Sequence, residues 1–239
     1  MKLKLFDRLT RLLFPSRCAA CGEVVLDGQA LCEACLRKYT FEIREKCRKC
    51  GETAPYCRCG SGGDVISVTF YRGFDAVPSR VTEKAIISLK RHKNLTLADF
   101  FARDLAKLIH QRLVKTGNSP DKFVLTYVPR SEDNKRKYSF DHGELLAEAV
   151  SRYTGIPVRS IFVRDGGGEQ KKMTAEERRE NAVESISIDR DALNGVRSVI
   201  VIDDIITTGA TLGRAETLLF ESGVYDVTLA VIAKTNRKR

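Results

Sequence analysis

Apolar residues recur at helical spacing near the start of the chain, at Leu3, Leu5, Phe6, Leu9, Leu12, Leu13 and Phe14. The spacing predicts an amphipathic helix, which Pro15 ends. Its expected role is to pack on the neighbouring domain, with a membrane-surface helix as the alternative. Residues 18 to 59 are the cysteine region, and Ser61-Gly62-Gly63 reads as a hinge. From Val65 onward β-type and α-type segments alternate. Strands are expected over 65–71, 122–128, 158–163, 196–202 and 227–233, and helices over 78–92, 95–114, 143–154 and 211–222. The run 196–202 is apolar and rich in β-branched residues, as a strand buried on both faces should be. Residues 116–121 form a polar turn with Gly117 and Pro120. Gly166-Gly167-Gly168 opens a charge-dense stretch to about Glu180 that suits a mobile loop. The basic tail 234–239 is expected to be loose. Strands separated by helices predict an α/β fold, a mostly parallel sheet flanked by helices. Residues 1–60 would form one unit and 61–239 a second.

Composition narrows the class. Hydrophobic residues make up 43% and charged residues 30% of the 239, ordinary values for a chain that folds around a core. The net charge of +10 favours anionic partners, polymeric or small. No segment approaches the roughly 18 apolar residues of a membrane span, and no unbroken apolar core of signal-peptide length stands at the start. The cytoplasm is the expected compartment, where thiolates stay reduced and free to bind metal.

All eight cysteines lie before residue 60, which is not the distribution of a disulfide framework. Cys18-x2-Cys21 and Cys32-x2-Cys35 suit one tetrahedral Zn²⁺. Cys47-x2-Cys50 and Cys57-x-Cys59 suit a second, although the pairs could also interleave. Such closed sites are structural. They would stand in for a core that a segment of this size cannot build.

The strand 196–202 ends in Asp203-Asp204, and Thr207-Thr208-Gly209-Ala210-Thr211 then opens a helix. Acids at the carboxyl end of a buried strand sit where α/β sheets bind ligands. Small residues let backbone amides approach a phosphate, and a helix start favours an anion. Adjacent carboxylates would repel that phosphate, but they can accept hydrogen bonds from ribose hydroxyls. A 5-phosphoribosyl group has both features.

The string from the apolar strand to Thr211 resembles the phosphoribosyl pyrophosphate (PRPP) loop of type I phosphoribosyltransferases. The resemblance implies that Asp203 and Asp204 hold the ribose and that Thr207, Thr208, Gly209, Ala210 and Thr211 cradle the 5′-phosphate, with Mg²⁺ accompanying PRPP. It also implies a pyrophosphate loop, here Pro129, Arg130 and Ser131 with Arg136 and Lys137 beyond. A cysteine-rich zinc module ahead of such a loop resembles the ComF family of competence-associated proteins. Gln170, Arg178 and Asn181 match that family's spaced Gln, Arg and Asn, and Leu89-Lys90 its Leu-Lys. Ser139 stands where the family has glycine, and Asp141-His142 where it has Asn-Gln.

Membership would imply a role in DNA uptake during natural transformation. Two functions then compete. One is a phosphoribosyltransferase, its acceptor unknown, with no obvious general base and with His142 and His110 expected at the surface. The other is a non-catalytic, PRPP-regulated adaptor for single-stranded DNA or a competence helicase. For that adaptor Arg37, Lys38, Arg44, Lys46, Arg48, Lys49 and Arg58 could meet phosphates, and Tyr39, Phe41 and Tyr56 could stack on bases.

Overall fold

The computed structural model describes residues 15–59, 64–73, 80–164 and 185–235. The expected helix 3–14, the hinge 61–63 and the stretch 166–180, with its three glycines, Gln170 and Arg178, lie outside the described residues, as does Asn181.

Six strands and seven α-helices are described. The strands are β1 (Ile66–Tyr71), β2 (Phe123–Tyr127), β3 (Phe162–Arg164), β4 (Ile186–Ile188), β5 (Ser198–Ile206) and β6 (Asp226–Thr235). The helices are α1 (Glu33–Ile43), α2 (Val81–Arg91), α3 (Leu95–Thr116), α4 (Glu132–Tyr138), α5 (His142–Thr154), α6 (Arg190–Leu193) and α7 (Ala210–Glu221). Four strands form a parallel sheet in the order β1-β6-β5-β2. A parallel bridge from Leu125 to Val158 extends it beyond β2. Strands β3 and β4 pair as a separate antiparallel ribbon.

Alternation along β5 explains why its sequence is apolar throughout. Ile200 and Ile202 join Phe101, Leu105, Leu125 and Leu146 in a core shared with α2, α3 and α5. Val199 and Val201 join Leu212, Ala215 and Leu219 of α7 on the other side. Each strand residue is covered on one face or the other, the pattern of a three-layer α/β sandwich. Helix α3 presents Leu97, Phe101, Leu105, Ile109 and Leu113 along one buried stripe. Asn94 caps its start by accepting from the Leu97 amide at 2.9 Å.

Three expectations are corrected. Strand β5 does not stop before the acids: Asp203, Ile205 and Ile206 remain in register with Val231, Ala233 and Lys234 of β6. Helices α1 and α4 replace segments that carried no helix expectation. Their metal ligands and basic residues hide the apolar period. Lys234 is no part of a loose tail, because β6 is paired on both sides to its end and the side chain is fully buried.

The zinc module leans on the sheet unit through specific groups. Tyr39 of α1 is buried against Phe100, ring centroids 4.8 Å apart, and its hydroxyl donates to Asp104 at 2.5 Å. The Glu42 carboxylate accepts from the Val81 and Thr82 amides at 2.7 and 2.9 Å. A side chain of one unit thereby caps the first turn of α2 in the other. An anion at that position also meets the positive end of the helix dipole.

Candidate functional site

The eight thiols gather in two sets, Cys18, Cys21, Cys32 and Cys35, then Cys47, Cys50, Cys57 and Cys59. Within each set the sulfurs lie within 4.8 Å of one another, so the pairs do not interleave. The Cys21 and Cys32 sulfurs are 3.7 Å apart, close to the roughly 3.8 Å edge of a tetrahedron with ~2.3 Å zinc–sulfur bonds. The geometry fits two structural zinc ions. The two turns repeat each other: the Cys18 amide donates to Glu23 O and the Cys47 amide to Glu52 O, both at 2.7 Å. Gly22 and Gly51 follow with φ of 79° and 77°, a left-handed conformation that any side chain would strain.

Four thiolates around Zn²⁺ leave a net negative charge. Lys234 answers it at the second set, its buried ammonium donating to Cys57 O with Cys47, Cys50 and Asp64 nearby. The next residue reaches the phosphate loop, where Thr235 Oγ1 donates to Thr207 O at 2.7 Å.

At the carboxyl end of β5, Asp204 is buried and Asp203 partly so. Lys90 Nζ of α2 lies 2.9 Å from Asp204 Oδ2, and His142 Nε2 of α5 lies 3.1 Å from the same oxygen. Burial alone would raise the Asp204 pKa, but Lys90 and then His142 hold it well below the usual carboxylate range. Asp203 is pushed up to about 6, by burial first and then by the Asp204 charge. The pair is thus split, one acid fixed as an anion and the other poised to protonate.

The loop that follows opens α7. Gly209 takes φ 83° at the cap of α7 and has no side chain to cap it, while the Ala210 amide meets the Thr208 hydroxyl at a long 3.4 Å. Thr207, Thr208 and Ala210 are exposed, and Gly209 and Thr211 are half-buried. Amides at such a start are free donors with the helix dipole behind them.

The basic turn after β2 is partly internal. Arg130 is buried. Its Nε donates to His142 Nδ1 at 2.6 Å, its Nη2 donates to Lys90 O at 2.6 Å, and its backbone amide donates to Asp141 at 2.7 Å. The guanidinium also stacks over Tyr138 and Phe140, at 4.8 and 5.3 Å. Pro129 is buried and Ser131 half-buried, while Arg136 and Lys137 are exposed on α4. Ser139 ends that helix at φ 58°, the left-handed conformation in which glycine is at ease. Asp141 serves backbone amides, accepting from that of Arg130 as above and at its other oxygen from Gly143. The second contact, at 2.9 Å, caps α5.

His142 departs from the expectation of a surface residue, since its side chain is only 12% exposed and touches Asp204. His110 is exposed. Arg164, at the end of β3, carried no signal in the sequence. Burial lowers its pKa, while the Asp203 and Asp141 charges raise it. Its position in a three-residue strand beside a charge-dense stretch gave it no pattern to be found by.

Among the described residues, the buried side-chain polar atoms without a hydrogen bond fall in two places. One is the start of α2, with Arg80 and Glu83. The other is this site, with Arg130 Nη1, Arg164 Nε and Asp204 Oδ2. Asp204 Oδ2 has the Lys90 ammonium at 2.9 Å and the His142 ring at 3.1 Å, neither aligned as a good hydrogen bond, so its charge is balanced by Lys90 while room for a further donor remains.

Fold and site together define a class: a phosphoribosyltransferase-like α/β domain with a double zinc ribbon ahead of it. The double zinc ribbon family model matches residues 9–63. The chain is 33% identical over 105 residues to competence protein ComFC of Bacillus subtilis, covering 44% of this chain and 41% of that protein. It is 36% identical over 98 residues to adenine phosphoribosyltransferase of Mycobacterium marinum, 41% of this chain and 53% of that one. Competence protein F of Haemophilus influenzae is 27% identical over 111 residues, 45% and 48% of the two chains. The chain therefore spans about half the length of the curated relatives it matches. A solved glutamine PRPP amidotransferase from B. subtilis overlaps 66% of this chain and 29% of its own, at 23% identity and a TM-score of 0.36. The ribbon match and the competence-protein relatives support a ComF-type chain. Among the described residues, no helix is long and apolar enough to cross a membrane.

Proposed function

We propose that the chain binds PRPP, with Asp203 and Asp204 receiving the ribose hydroxyls and residues 207–211 holding the 5′-phosphate. The observation that carries this reading is the set of buried, poorly partnered polar atoms beside the start of α7. Arg130 Nη1 and Arg164 Nε lack acceptors, and Asp204 Oδ2, although close to Lys90 and His142, has no well-aligned donor. Hydroxyls suit the oxygen, and a phosphate group suits the two guanidinium atoms. Pro129, Arg130 and Ser131, with Arg136 and Lys137 on α4, form the pyrophosphate side. The reaction on this reading is displacement of pyrophosphate from the ribose by an acceptor, aided by positioned cations.

Magnesium fits as a companion of the ligand. His142, Asp203 and Asp204 could converge on an ion. However, the Lys90 ammonium already balances Asp204, and Mg²⁺ prefers phosphate oxygens and water. Titration calorimetry with PRPP and Mg²⁺ tests the site. Binding with a Kd of about 100 μM or tighter is expected. Absence of heat, together with an unmoved thermal transition at millimolar PRPP, would reject it.

The biological setting on this proposal is cytoplasmic handling of incoming DNA, in line with the competence-protein relatives. One observation favours direct contact with single strands. Arg37, Lys38, Arg44, Lys46, Arg48, Lys49 and Arg58 are all exposed, and Phe41 and Tyr56 are 78% and 63% exposed. Tyr39, in contrast, is buried and drops out as a stacking residue. Replacing Lys46, Arg48 and Lys49 together by Glu should reduce the slope of log affinity against log salt by roughly 2. An unchanged slope would place the DNA contact elsewhere or nowhere.

A further inference from the structure

We infer that His142 is a positioning residue that ties the basic turn after β2 to the acid end of β5, working as a neutral imidazole that accepts at Nδ1 and carries its proton on Nε2. The inference deepens the PRPP reading and rests on it for its consequence, though the link itself is a property of the free protein. Arginine is always protonated and can only donate. The 2.6 Å contact from Arg130 Nε to His142 Nδ1 therefore requires a bare Nδ1. A neutral imidazole with a bare Nδ1 has its hydrogen on Nε2. That nitrogen stands 3.1 Å from Asp204 Oδ2.

The groups around the ring fix its role. Arg130 approaches from the turn after β2, Asp141 lies 3.8 Å from Nδ1 at the start of α5, Asp204 lies on β5, and Lys90 of α2 shares the same Asp204 oxygen. An Asp203 carboxylate oxygen also lies within 4.8 Å of a ring nitrogen. Two arms of the proposed ligand site meet around the ring: Arg130 belongs to the pyrophosphate side, and Asp203 and Asp204 to the ribose side. His142 is the side chain that touches both arms, and it is only 12% exposed. Nδ1 holds the guanidinium so that Nη1 remains buried and open for an acceptor. Nε2 balances Asp204 from off its hydrogen-bonding axis, leaving the oxygen open for a hydroxyl. The ring sets the spacing between the two arms before ligand arrives, and preorganisation of this kind strengthens binding without a direct contact.

The test uses the intact zinc-loaded chain and two variants. Long-range ¹⁵N spectra of the free protein should show His142 Nδ1 unprotonated and Nε2 protonated, and His142→Ala should displace the Arg130 Nε–H signal. Glutamine has one amide acceptor and one amide donor to replace the two ring nitrogens. His142→Gln should keep PRPP affinity within about threefold, while His142→Ala should lose about tenfold or more. A protonated Nδ1 in the wild-type protein overturns the inference, and so does His142→Ala binding PRPP at full strength. Should His142→Ala fail to fold, the ring tautomer and the Gln variant still decide. Should the wild-type protein bind no PRPP, the proposed function fails, and the tautomer and the Arg130 signal judge the link by themselves.

Discussion

Asp203→Asn is expected to make the protein more stable and less able to bind PRPP. Burial and the neighbouring Asp204 anion push the Asp203 carboxyl up to about 6. Between the ordinary carboxylate range and about pH 6, the native state then binds more protons than the unfolded chain. The contribution of Asp203 to stability is full in acid and is lost as pH rises through about 6, leaving a cost on the order of 2 kcal/mol near neutrality. Asparagine removes that cost. Its melting temperature should exceed that of the parent at about pH 7.5 and match it near pH 4. Asp204→Asn should do the opposite. Although burial opposes the charge, Lys90 and His142 hold Asp204 ionised, so its contribution is present above the ordinary carboxylate range and disappears only in strong acid. Both variants should weaken PRPP binding by roughly tenfold to a hundredfold, the worth of a hydrogen bond to a charged acceptor. Melting curves at the two pH values, with calorimetry alongside, decide. A neutral-pH loss of stability in Asp203→Asn would remove the split between the two acids.

Zinc removal should have a larger effect on the fold. The second four-cysteine set holds little apolar core, packing only Ala54 and Phe70 among its buried members beyond the ligands, whereas Cys18, Cys32 and Cys35 of the first set join the main core. In such modules metal affinity is folding free energy, roughly 10–16 kcal/mol per structural zinc in small peptides. A chelator strong enough to strip both sites should abolish the ordered structure of residues 15–59. The damage should travel further, because Lys234 would lose the negative charge that makes its burial tolerable. Amide exchange should therefore rise at the end of β6 and at Thr207, which Thr235 holds. Spectroscopic zinc release followed against hydrogen exchange is the measurement. Complete release of two ions with residues 206–211 and 230–235 unaltered would contradict the coupling.

Much of this architecture was legible in the residues. The β-branched run of β5 and the stripe of α3 are set by burial, and burial writes its period into the chain. The cysteine spacing likewise pointed to metal, since thiolate geometry is local. What stayed hidden depended on distant partners. Lys234 looked like the first residue of a basic tail because the thiolates that attract it come 177 or more positions earlier. His142 read as a surface histidine because nothing nearby in sequence announces Arg130 and Asp204 on either side of the ring. The extension of β5 through Asp203 was hidden as well. Acidic residues are depleted in strands, and here pairing with β6 overrode that preference.

The Glu42 carboxylate caps α2, and α2 carries Lys90 to Asp204. Cutting the chain between the two units would leave the first amides of that helix bare. A truncated enzyme-like half would then report on a domain missing part of its own foundation, with its lysine misplaced, rather than on an independent catalyst. Within this molecule the cysteine-rich half is a component of the scaffold under the proposed ligand site, which single-residue variants in the full chain can probe and domain dissection cannot.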